Sequence, residues 1–391
     1  MRILHTSDWH AGKTLYKQDR LPDLQHALQQ ILDLIEQQKI DLLVVAGDLY
    51  DSFHPSARAM AVLNQFFLDL HRRQVPALII AGNHDSAHLW QSMREILALA
   101  SVRVFDRIQR QAHWVTQVGD QSICLTALPY PSERQLVRLA PALGTGAENL
   151  AQQRQRYADK VAALLDMLTR ERPPADHHLL CAHLMLSGAE PTHSERSLSL
   201  ADTFAVQPQH LPEHFDYIAL GHIHKCQQVK GAAAPAWYSG TPYQIDFSEQ
   251  GMSKSVQIID FAAGKRPQIS QHTLELSHPL QLIQCHEDLI PENRASWAEM
   301  PGYLKLRIQV DAPRKSLADS LREALGPRLL QVEFITPRQQ EQRPRWQDLR
   351  LDDPISVYRA YCEAQNLPLN RDLQQTFEQL LERSQNQQQS D

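Results

Sequence analysis

The chain is poor in cysteine, with five among 391 residues and no Cys-x-x-Cys pair. This scarcity argues against a disulfide framework and against a thiolate zinc ribbon, because both need closely spaced cysteines. The chain also lacks a run of 18 apolar residues and a leader with a charged start and a cleavage site. We therefore expect a protein of the reducing cytoplasm, without a membrane span.

Two further absences concern nucleotides and polyanions. No Gly-x-x-x-x-Gly-Lys-Ser/Thr loop occurs, which argues against ATP binding in the P-loop manner. Positive charge is not in excess either, since the chain has 39 Lys and Arg but 45 Asp and Glu, which gives a net charge of -6. We expect this chain alone to bind a phosphate backbone weakly, unless bound cations or a partner protein add positive charge.

What the chain does contain is a set of five short polar motifs, each at the end of an apolar run of strand length. They are Asp8-Trp9-His10, Gly47-Asp48, Gly82-Asn83-His84-Asp85, Ala182-His183 and Gly221-His222-Ile223-His224. Segments of helical period, about 20–39 and 56–73, separate the first three, so the order predicts parallel strands joined by helices. Loops at the carboxyl ends of such strands converge on one crevice, where we expect all five motifs to meet.

The donor atoms of these motifs suit divalent first-row metals. Seven candidate ligands are carboxylates, imidazoles and one amide: Asp8, His10, Asp48, Asn83, His183, His222 and His224. Imidazole together with carboxylate favours Mn, Fe or Zn over Ca. A carboxylate such as Asp48 bridges two cations, and cations about 3.5 to 4 Å apart lower the pKa of a shared water toward roughly 7. The motifs predict a site for two metal ions.

A single Asp or His at the end of a strand is usually a cap, a turn former or a hydrogen-bonded core group. Five motifs in one order make that explanation insufficient for the set as a whole. His5 is different, because it lies inside the first apolar run, and a structural role is as good an interpretation as a functional one. We do not assign His5 to the site.

Other segments predict the rest of the fold. Strand-like runs at 122–128, 236–238 and 255–261 predict a second sheet packed on the first, and a helix is expected from about residue 148. The strand, helix, strand pattern over 303–310, 316–325 and 329–335 predicts a small cap. Two helices, about 354–365 and 370–383, carry more apolar residues than a short hairpin buries, which predicts docking.

The motif set resembles that of the calcineurin-like metallophosphoesterases, whose pattern is D-x-H, G-D, G-N-H-D, H and G-H-x-H. Residues 1–10, 216–224 and 238–242 resemble most closely the bacterial SbcD-type nucleases within that family. The resemblance implies an α/β fold, a two-sheet sandwich flanked by helices, with a small α+β cap and C-terminal helices. The expected domains are 1–275 for the nuclease, 276–336 for the cap, and 337–391 for a linker and helices that dock on an ATPase partner.

The resemblance also implies roles for individual residues. Asp8, His10, Asp48 and His224 would hold one metal ion, and Asp48, Asn83, His183 and His222 the other, with Asp48 as the bridge. His84 would face the scissile phosphate, Asp85 would orient the His84 ring, and His54 is a candidate for steering the DNA strand.

The function implied by the resemblance is that of the nuclease component of a DNA repair and recombination complex. Its activities would depend on Mn, as an exonuclease on double strands and an endonuclease on single strands or hairpins. The implied partners are DNA and an SbcC-like ATPase of the SMC family, in a heterotetramer that contains a homodimer of this chain. Two alternatives stay open: a phosphatase or phosphodiesterase for small molecules with the same fold, and a non-catalytic scaffold that tethers DNA ends.

Overall fold

The computed structural model describes residues 1–132, 135–136, 150–192, 194–195, 205–312, 315–336 and 362. The strands, in chain order, are β1 (Arg2–Thr6), β2 (Thr14–Leu15), β3 (Gln18–Asp19), β4 (Leu42–Val45), β5 (Ala77–Ile80), β6 (Val102–Phe105), β7 (His113–Val118), β8 (Gln121–Leu128), β9 (His177–His183), β10 (Tyr217–Gly221), β11 (Gln227–Gln228), β12 (Ala236–Tyr238), β13 (Lys254–Asp260), β14 (Gln268–Leu274), β15 (Leu280–His286), β16 (Tyr303–Gln309) and β17 (Leu329–Ile335). The α-helices are α1 (Leu21–Gln37), α2 (Ala57–Arg72), α3 (Ala87–Leu99), α4 (Leu150–Arg170), α5 (Ile290–Glu299) and α6 (Lys315–Leu325).

The first sheet has six strands in the order β14, β13, β1, β4, β5, β6. Strands β1, β4, β5 and β6 are parallel, as the alternation of strands with α1 and α2 predicts. Strand β4 is buried at every position, which is typical of a central strand covered on both faces. The carboxyl ends of β1, β4 and β5 therefore lie along one edge of this sheet.

The second sheet also has six strands, in the order β11, β12, β10, β9, β8, β7. Its four central strands are parallel, and β7 and β11 run antiparallel at the two edges. Strands β9 and β10, which precede the fourth and fifth motifs, belong to this sheet. Consequently the five motifs come from two sheets rather than from one.

The prediction for residues 255–261 is wrong in one respect, since β13 lies in the first sheet and not in the second. It pairs antiparallel with β1, with Ile3 opposite Ile259 and His5 opposite Gln257. Strand β14, which the sequence analysis did not predict, then continues this sheet from β13. An isolated apolar run does not reveal which sheet edge it will join, because pairing depends on a partner more than 200 residues away.

The core has three layers that follow from the alternation of side chains along the strands. One layer lies between the two sheets and includes Ile3, Val44, Ile80, Leu125 and Leu179. The opposite face of the first sheet packs on α1, α2 and α3, and the opposite face of the second sheet packs on α4. The result is the predicted two-sheet sandwich flanked by helices.

Local sequence explains where the helices next to the site begin. Ser56 caps α2, because its hydroxyl oxygen accepts a hydrogen bond from Ala59 N at 3.2 Å, and Ser86 caps α3 in the same way. In α1, Pro22 occupies the first turn, where the missing N–H costs no hydrogen bond. These caps fix the loops that carry the second and third motifs.

The chain folds into two compact units. The first comprises Met1–Leu282, Met300–Lys305 and Pro327–Gln331, and the second includes Ile283–Glu299 and Leu306–Gly326. Strands β15, β16 and β17 form a three-stranded sheet, in which β15 and the helix α5 were not predicted.

The predicted C-terminal helices fall outside the described residues, apart from Cys362, which is helical and buried. The domain boundaries at 275 and 336 stay predictions. Among the helices that the structure describes, none has both the length and the apolar character needed to cross a membrane.

Candidate metal centre

The five motifs meet where the carboxyl ends of the parallel strands in the two sheets face each other. Asp8 follows β1, Asp48 follows β4, and His222 directly follows β10. The approach of the sheets is close here: His183 Nδ1 lies 2.8 Å from the carbonyl oxygen of Ala46, and a Cβ added to Gly221 would lie 1.9 Å from that same oxygen. The structure thus brings together motifs separated by more than 200 residues.

Among the described residues, the donor atoms gather in three overlapping groups. One ligand atom each from Asp8, His10 and His224 lies within 4.8 Å of the others, and the same holds for Asp8, Asp48 and His183 and for His10, Asp48 and His84. All six residues are buried. Asp8 belongs to the first two groups, which places these two side by side.

Asn83 and His222 complete the second group. Asn83 Oδ1 lies 2.9 Å from His222 Nδ1 and 3.0 Å from His183 Nε2, and this Nε2 lies 3.5 Å from Asp48 Oδ2. The distance between His222 Nδ1 and His183 Nε2 is 3.3 Å. Each of the seven predicted ligands therefore lies in one compact cluster.

The chemistry of this cluster fits cations. Nδ1 of His183 faces the Ala46 carbonyl, Nδ1 of His224 lies 2.6 Å from Ser194 Oγ, and Nδ1 of His10 lies 3.3 Å from Asp51 Oδ1. An Nδ1–H that His183 donates to Ala46 O, and His224 to Ser194 Oγ, leaves the Nε2 lone pair of each ring for a bound cation. Nε2 of His10 and Nε2 of His224 are only 3.2 Å apart. A hydrogen bond between these two nitrogens needs a proton on one of them, and a cation can take the place of that proton.

The pKa values point the same way. Burial raises the pKa of Asp8 to about 7. For Asp48 burial acts in the same direction, but His183 and other histidines outweigh it and hold the pKa well below its usual range. Burial lowers the pKa of His183, yet the Asp48 carboxylate outweighs burial and raises it to about 9. In the absence of metal, the cluster holds protons in place of cations, so metal binding releases protons.

Left-handed backbone occurs at four of these residues, among nine non-glycine positions with positive φ in the described part of the chain. Asp8 (φ 53°), His10 (φ 45°), Asp48 (φ 53°) and His222 (φ 103°) all have positive φ, a region that L-residues avoid. Each such residue costs of order 1–3 kcal/mol and persists where function requires it. Four of the seven candidate ligands share this feature, which supports a functional rather than a structural role.

His84 lies beside the cluster. Its backbone N–H donates to Asp48 Oδ1 at 2.7 Å, and its ring centroid lies 4.7 Å from that of His10. Nδ1 of His84 is 2.9 Å from the carbonyl oxygen of Asp51. An Nδ1–H that donates to this carbonyl fixes the orientation of the ring beside the candidate ligands.

Asp85 contacts the backbone of two loops. Its carboxylate accepts three backbone hydrogen bonds, from Gly82 N at 2.9 Å, Tyr50 N at 3.1 Å and Leu49 N at 3.3 Å. It therefore ties the loop after β5 to the loop after β4, because these buried N–H groups need an acceptor. Its role in orienting the His84 ring stays a prediction.

His54 lies on the exposed loop after β4, where its carbonyl oxygen accepts a hydrogen bond from Ser52 Oγ at 3.2 Å. Its role in steering DNA stays a prediction. Sequence reasoning missed Ser194, Glu195, Glu249 and Tyr130. Glu195 Oε1 accepts from His224 N at 3.0 Å, and the Tyr130 ring is stacked with that of His222 at a centroid distance of 6.1 Å. No local motif marks these residues, since their contacts are made across the fold.

The comparison with protein families agrees with this geometry. Residues 1–226, more than half of the chain, match the model of the calcineurin-like phosphoesterases. The chain belongs to the calcineurin-like phosphoesterase family, whose members are divalent-metal enzymes. It is accordingly a metal-dependent phosphodiesterase, and the predicted family and fold class are confirmed.

Within the family, the chain is similar to proteins named as the SbcD component of the nuclease SbcCD. The protein from Bacillus subtilis is 30% identical over 282 residues, 72% of this chain and 71% of the relative. That from Escherichia coli K12 is 27% identical over 354 residues, 88% of this chain and 87% of the relative. Among solved structures, a dimetal phosphatase from Danio rerio covers 71% of this chain and 99% of its own, at 13% identity and a TM-score of 0.42, too low a similarity to bear on function.

Proposed function

We propose that this chain is the nuclease component of an SbcCD-type complex and hydrolyses phosphodiester bonds of DNA with two divalent metal ions, Mn²⁺ in particular. One observation carries the proposal: seven donor residues from five motifs meet in a single compact cluster, in a chain similar over most of its length to SbcD of the nuclease SbcCD. The proposed activities are exonuclease on duplex ends and endonuclease on single strands and hairpins.

The proposed ligand sets are those of the sequence analysis. Asp8, His10, Asp48 and His224 hold one ion, and Asp48, Asn83, His183 and His222 hold the other. Asp48 Oδ2 lies 3.5 Å from His183 Nε2 and 4.0 Å from His10 Nε2, near one proposed ligand of each ion, which supports Asp48 as the bridge. When bound, the ions supply a nucleophile at neutral pH and positive charge for the phosphate oxygens.

The protein groups have separate tasks in this scheme. Burial of Asp8 and Asp48 excludes bulk water from the carboxylates and strengthens their attraction for cations. The Asp51 carbonyl accepts from Nδ1–H of His84 and fixes the ring. As an imidazolium, with a second proton on Nε2, the ring would stabilise the charge of the scissile phosphate or deliver that proton to the leaving oxygen. Asp85 holds two loops together and acts on the chemistry only through their positions.

The proposed partners are DNA and an SbcC-like ATPase, with two copies of this chain in the complex. The similarity to components of a named complex supports the ATPase partner. Two dications would add about four positive charges to a chain whose net charge is -6, which favours a phosphate backbone at the site. All five cysteines are free, which suits the reducing cytoplasm that we propose as the location.

The proposed domains are 1–275 for the nuclease, 276–336 for the cap and 337–391 for the linker and docking helices. The three-stranded sheet β15, β16, β17 with the helices α5 and α6 supports a separate capping element. Docking of the C-terminal helices on the ATPase rests on the sequence alone.

The substitution His84→Gln tests the proposed division of roles. We expect cleavage of blunt duplex and hairpin DNA with Mn²⁺ to fall by about 10² to 10⁴-fold, because an imidazole that stabilises charge or transfers protons is lost. The number of metal ions bound per chain, measured by elemental mass spectrometry, should stay near that of the parent protein. His88→Gln, on the exposed face of α3, is the matched control and should cleave normally.

The same assays separate the alternatives. Equal loss of metal and of cleavage in His84→Gln would contradict the non-ligand role of His84. Turnover of small phosphoesters, but not of DNA, with or without the ATPase partner would instead identify a small-molecule phosphatase. Absence of any Mn²⁺-dependent cleavage by the assembled complex would identify a DNA-tethering scaffold.

A further inference from the structure

A chain of buried hydrogen bonds lies behind His224, on the side away from the other candidate ligands. Ser194 Oγ is 2.6 Å from His224 Nδ1 and also 2.6 Å from Glu249 Oε1. Glu249 is fully buried, and its Oε1 lies 3.7 Å from His224 Nδ1. The hydroxyl therefore stands between an imidazole and a carboxylate.

The carboxylate of Glu249 has a buried counter-charge. Lys254 is 2% exposed, and its Nζ lies 2.7 Å from Glu249 Oε2. This ammonium also donates to Thr241 Oγ1 at 2.6 Å and to the carbonyl oxygen of His224 at 3.3 Å. Glu249 Oε2 in turn accepts from Ile245 N at 3.1 Å. Both charged groups are held by several contacts, so neither is free to turn.

These contacts give the hydrogen bonds a direction. The buried ammonium of Lys254, 2.7 Å from Oε2, pairs with Glu249 as a carboxylate, and a carboxylate only accepts hydrogen bonds. Ser194 Oγ–H must then donate to Glu249, and its lone pair accepts from His224 Nδ1–H. A ring protonated at Nδ1 presents the lone pair of Nε2 to the side of Asp8 and His10.

Stabilisation of the fold does not by itself explain this buried ion pair. Such a pair contributes little net stability compared with apolar residues of the same volume, because desolvation of both charges offsets their attraction. His183 obtains the same orientation from a backbone carbonyl, that of Ala46. Glu249 contacts the His224 ring through Ser194, and Lys254 donates to the carbonyl oxygen of His224. The ion pair therefore acts on both the ring and the backbone of His224 and can fix the orientation of this residue.

We propose that Glu249 is a positioning residue of the metal centre, which acts through the Ser194 hydroxyl to fix His224 with its Nε2 lone pair toward the metal. This inference rests on the proposed function, because it takes His224 as a ligand. It extends the site to residues beyond 226, where the match to the family model ends. The segment from Thr241 to Lys254 is thus part of the metal centre and not only a connection to β13.

Metal binding by the full-length chain tests this inference without recourse to activity. Mn²⁺ is titrated by calorimetry into metal-free parent, Glu249→Gln, Ser194→Ala and the double variant, with His224→Ala as the reference. We expect each single variant to weaken one of the sites by about 10 to 100-fold, the usual effect of losing a partner of a metal-binding histidine. The double variant should lose no more than the more affected single variant, since both changes break one chain of contacts.

Two further variants separate positioning from bulk structure. Ser194→Thr keeps the hydroxyl and should bind Mn²⁺ within about threefold of the parent, whereas Ser194→Ala should not. Glu190→Gln removes an exposed ion pair with Lys225, next to His224 in sequence, and should leave affinity unchanged. The visible spectrum of the Co²⁺ form should change in Ser194→Ala and stay that of the parent in Ser194→Thr.

Several outcomes would overturn the inference. The inference is wrong if folded Glu249→Gln or Ser194→Ala binds Mn²⁺ with the affinity of the parent. It is also wrong if the loss of Mn²⁺ affinity in the double variant equals the product of the two single losses. If Glu249→Gln does not fold because Lys254 is left unpaired, Ser194→Ala decides, since it keeps the ion pair. Normal Mn²⁺ binding in His224→Ala would refute the proposed metal site itself, which is a different result from failure at Glu249 alone.

Discussion

The two six-stranded sheets contribute to the metal centre in different ways. The first sheet supplies both carboxylates and the amide of the candidate set, Asp8, Asp48 and Asn83, together with His10. The second supplies only imidazoles, those of His183, His222 and His224. Negative charge is therefore concentrated on the loops of one sheet, and neutral donors on the loops of the other.

The way in which the donors are held also differs. Asp8, His10 and Asp48 of the first sheet lie on loops joined by backbone hydrogen bonds within that sheet, such as Asp8 N to Gly47 O at 2.9 Å. The Nδ1 atoms of His183 and His224 in the second sheet face groups on other parts of the fold, Ala46 O and Ser194 Oγ. The carboxylates are thus placed by backbone contacts between neighbouring loops, while the orientation of these imidazoles depends on packing between segments.

The largest effect is expected from the charge on the first sheet. Asp48→Asn removes the proposed bridge, so both metal sites should weaken, each by more than the roughly 100-fold typical of a lost ligand partner. Calorimetric titration with Mn²⁺ measures this, with Asp69→Asn on α2 as the control. Loss of only one ion would show that Asp48 does not bridge and would weaken the contrast between the sheets.

The contact between the sheets should be nearly as sensitive. In Gly221→Ala the new Cβ would meet the backbone oxygen of Ala46 at 1.9 Å, so one sheet must shift. We expect a loss of about 3 kcal/mol in unfolding free energy, at the upper end for overpacking, together with weaker metal binding.

The control for this substitution is Gly264→Ala, at an exposed turn with φ +67° and no neighbour near the added Cβ. It should cost roughly 1 to 2 kcal/mol, through left-handed strain alone, and leave the metal sites intact. Urea unfolding measures both variants. Unchanged metal affinity in a folded Gly221→Ala protein would mean that the sheets do not need this approach to form the site.

A smaller effect concerns the polar pair between the sheets, His5 of β1 and Tyr217 of β10, whose Nδ1 and hydroxyl oxygen are 3.0 Å apart. Burial lowers the pKa of His5 from 6.5 to about 3. Between these values the unfolded chain binds a proton that the folded chain does not, so His5 lowers stability as pH falls below 6.5. At pH 5 the loss is about 2 kcal/mol, from the 1.36 kcal/mol per pKa unit.

His5→Asn keeps a hydrogen-bonding group near Tyr217 but no longer titrates. Its unfolding free energy, measured in urea with EDTA from pH 7 to pH 5, should fall by about 2 kcal/mol less than that of the parent. Parallel curves for the two proteins would show that His5 is not buried in its neutral form. In that case the space between the sheets is wetter than the structure indicates.

Much of the site was accessible from the sequence, because the signals are local. Each donor sits in a motif of two to four residues at the end of an apolar run, and parallel strands converge at their carboxyl ends whatever the details of the fold. The seven predicted ligands do lie together. The backbone partners of Asp85, by contrast, were not predicted, since the N–H groups of Leu49 and Tyr50 reach its carboxylate only after the loops pack.

The sequence by itself determined the donors, their order, the first three parallel strands of the first sheet with the helices α1 and α2, and the family resemblance. It did so because side-chain chemistry, hydrophobic period and motif spacing are properties of short segments. The tertiary structure alone decided that β13 joins β1, that β9 and β10 form part of a separate sheet, and that Ser194 and Glu249 lie behind His224. These features depend on pairing and packing between segments tens to hundreds of residues apart, and no short stretch of sequence encodes them.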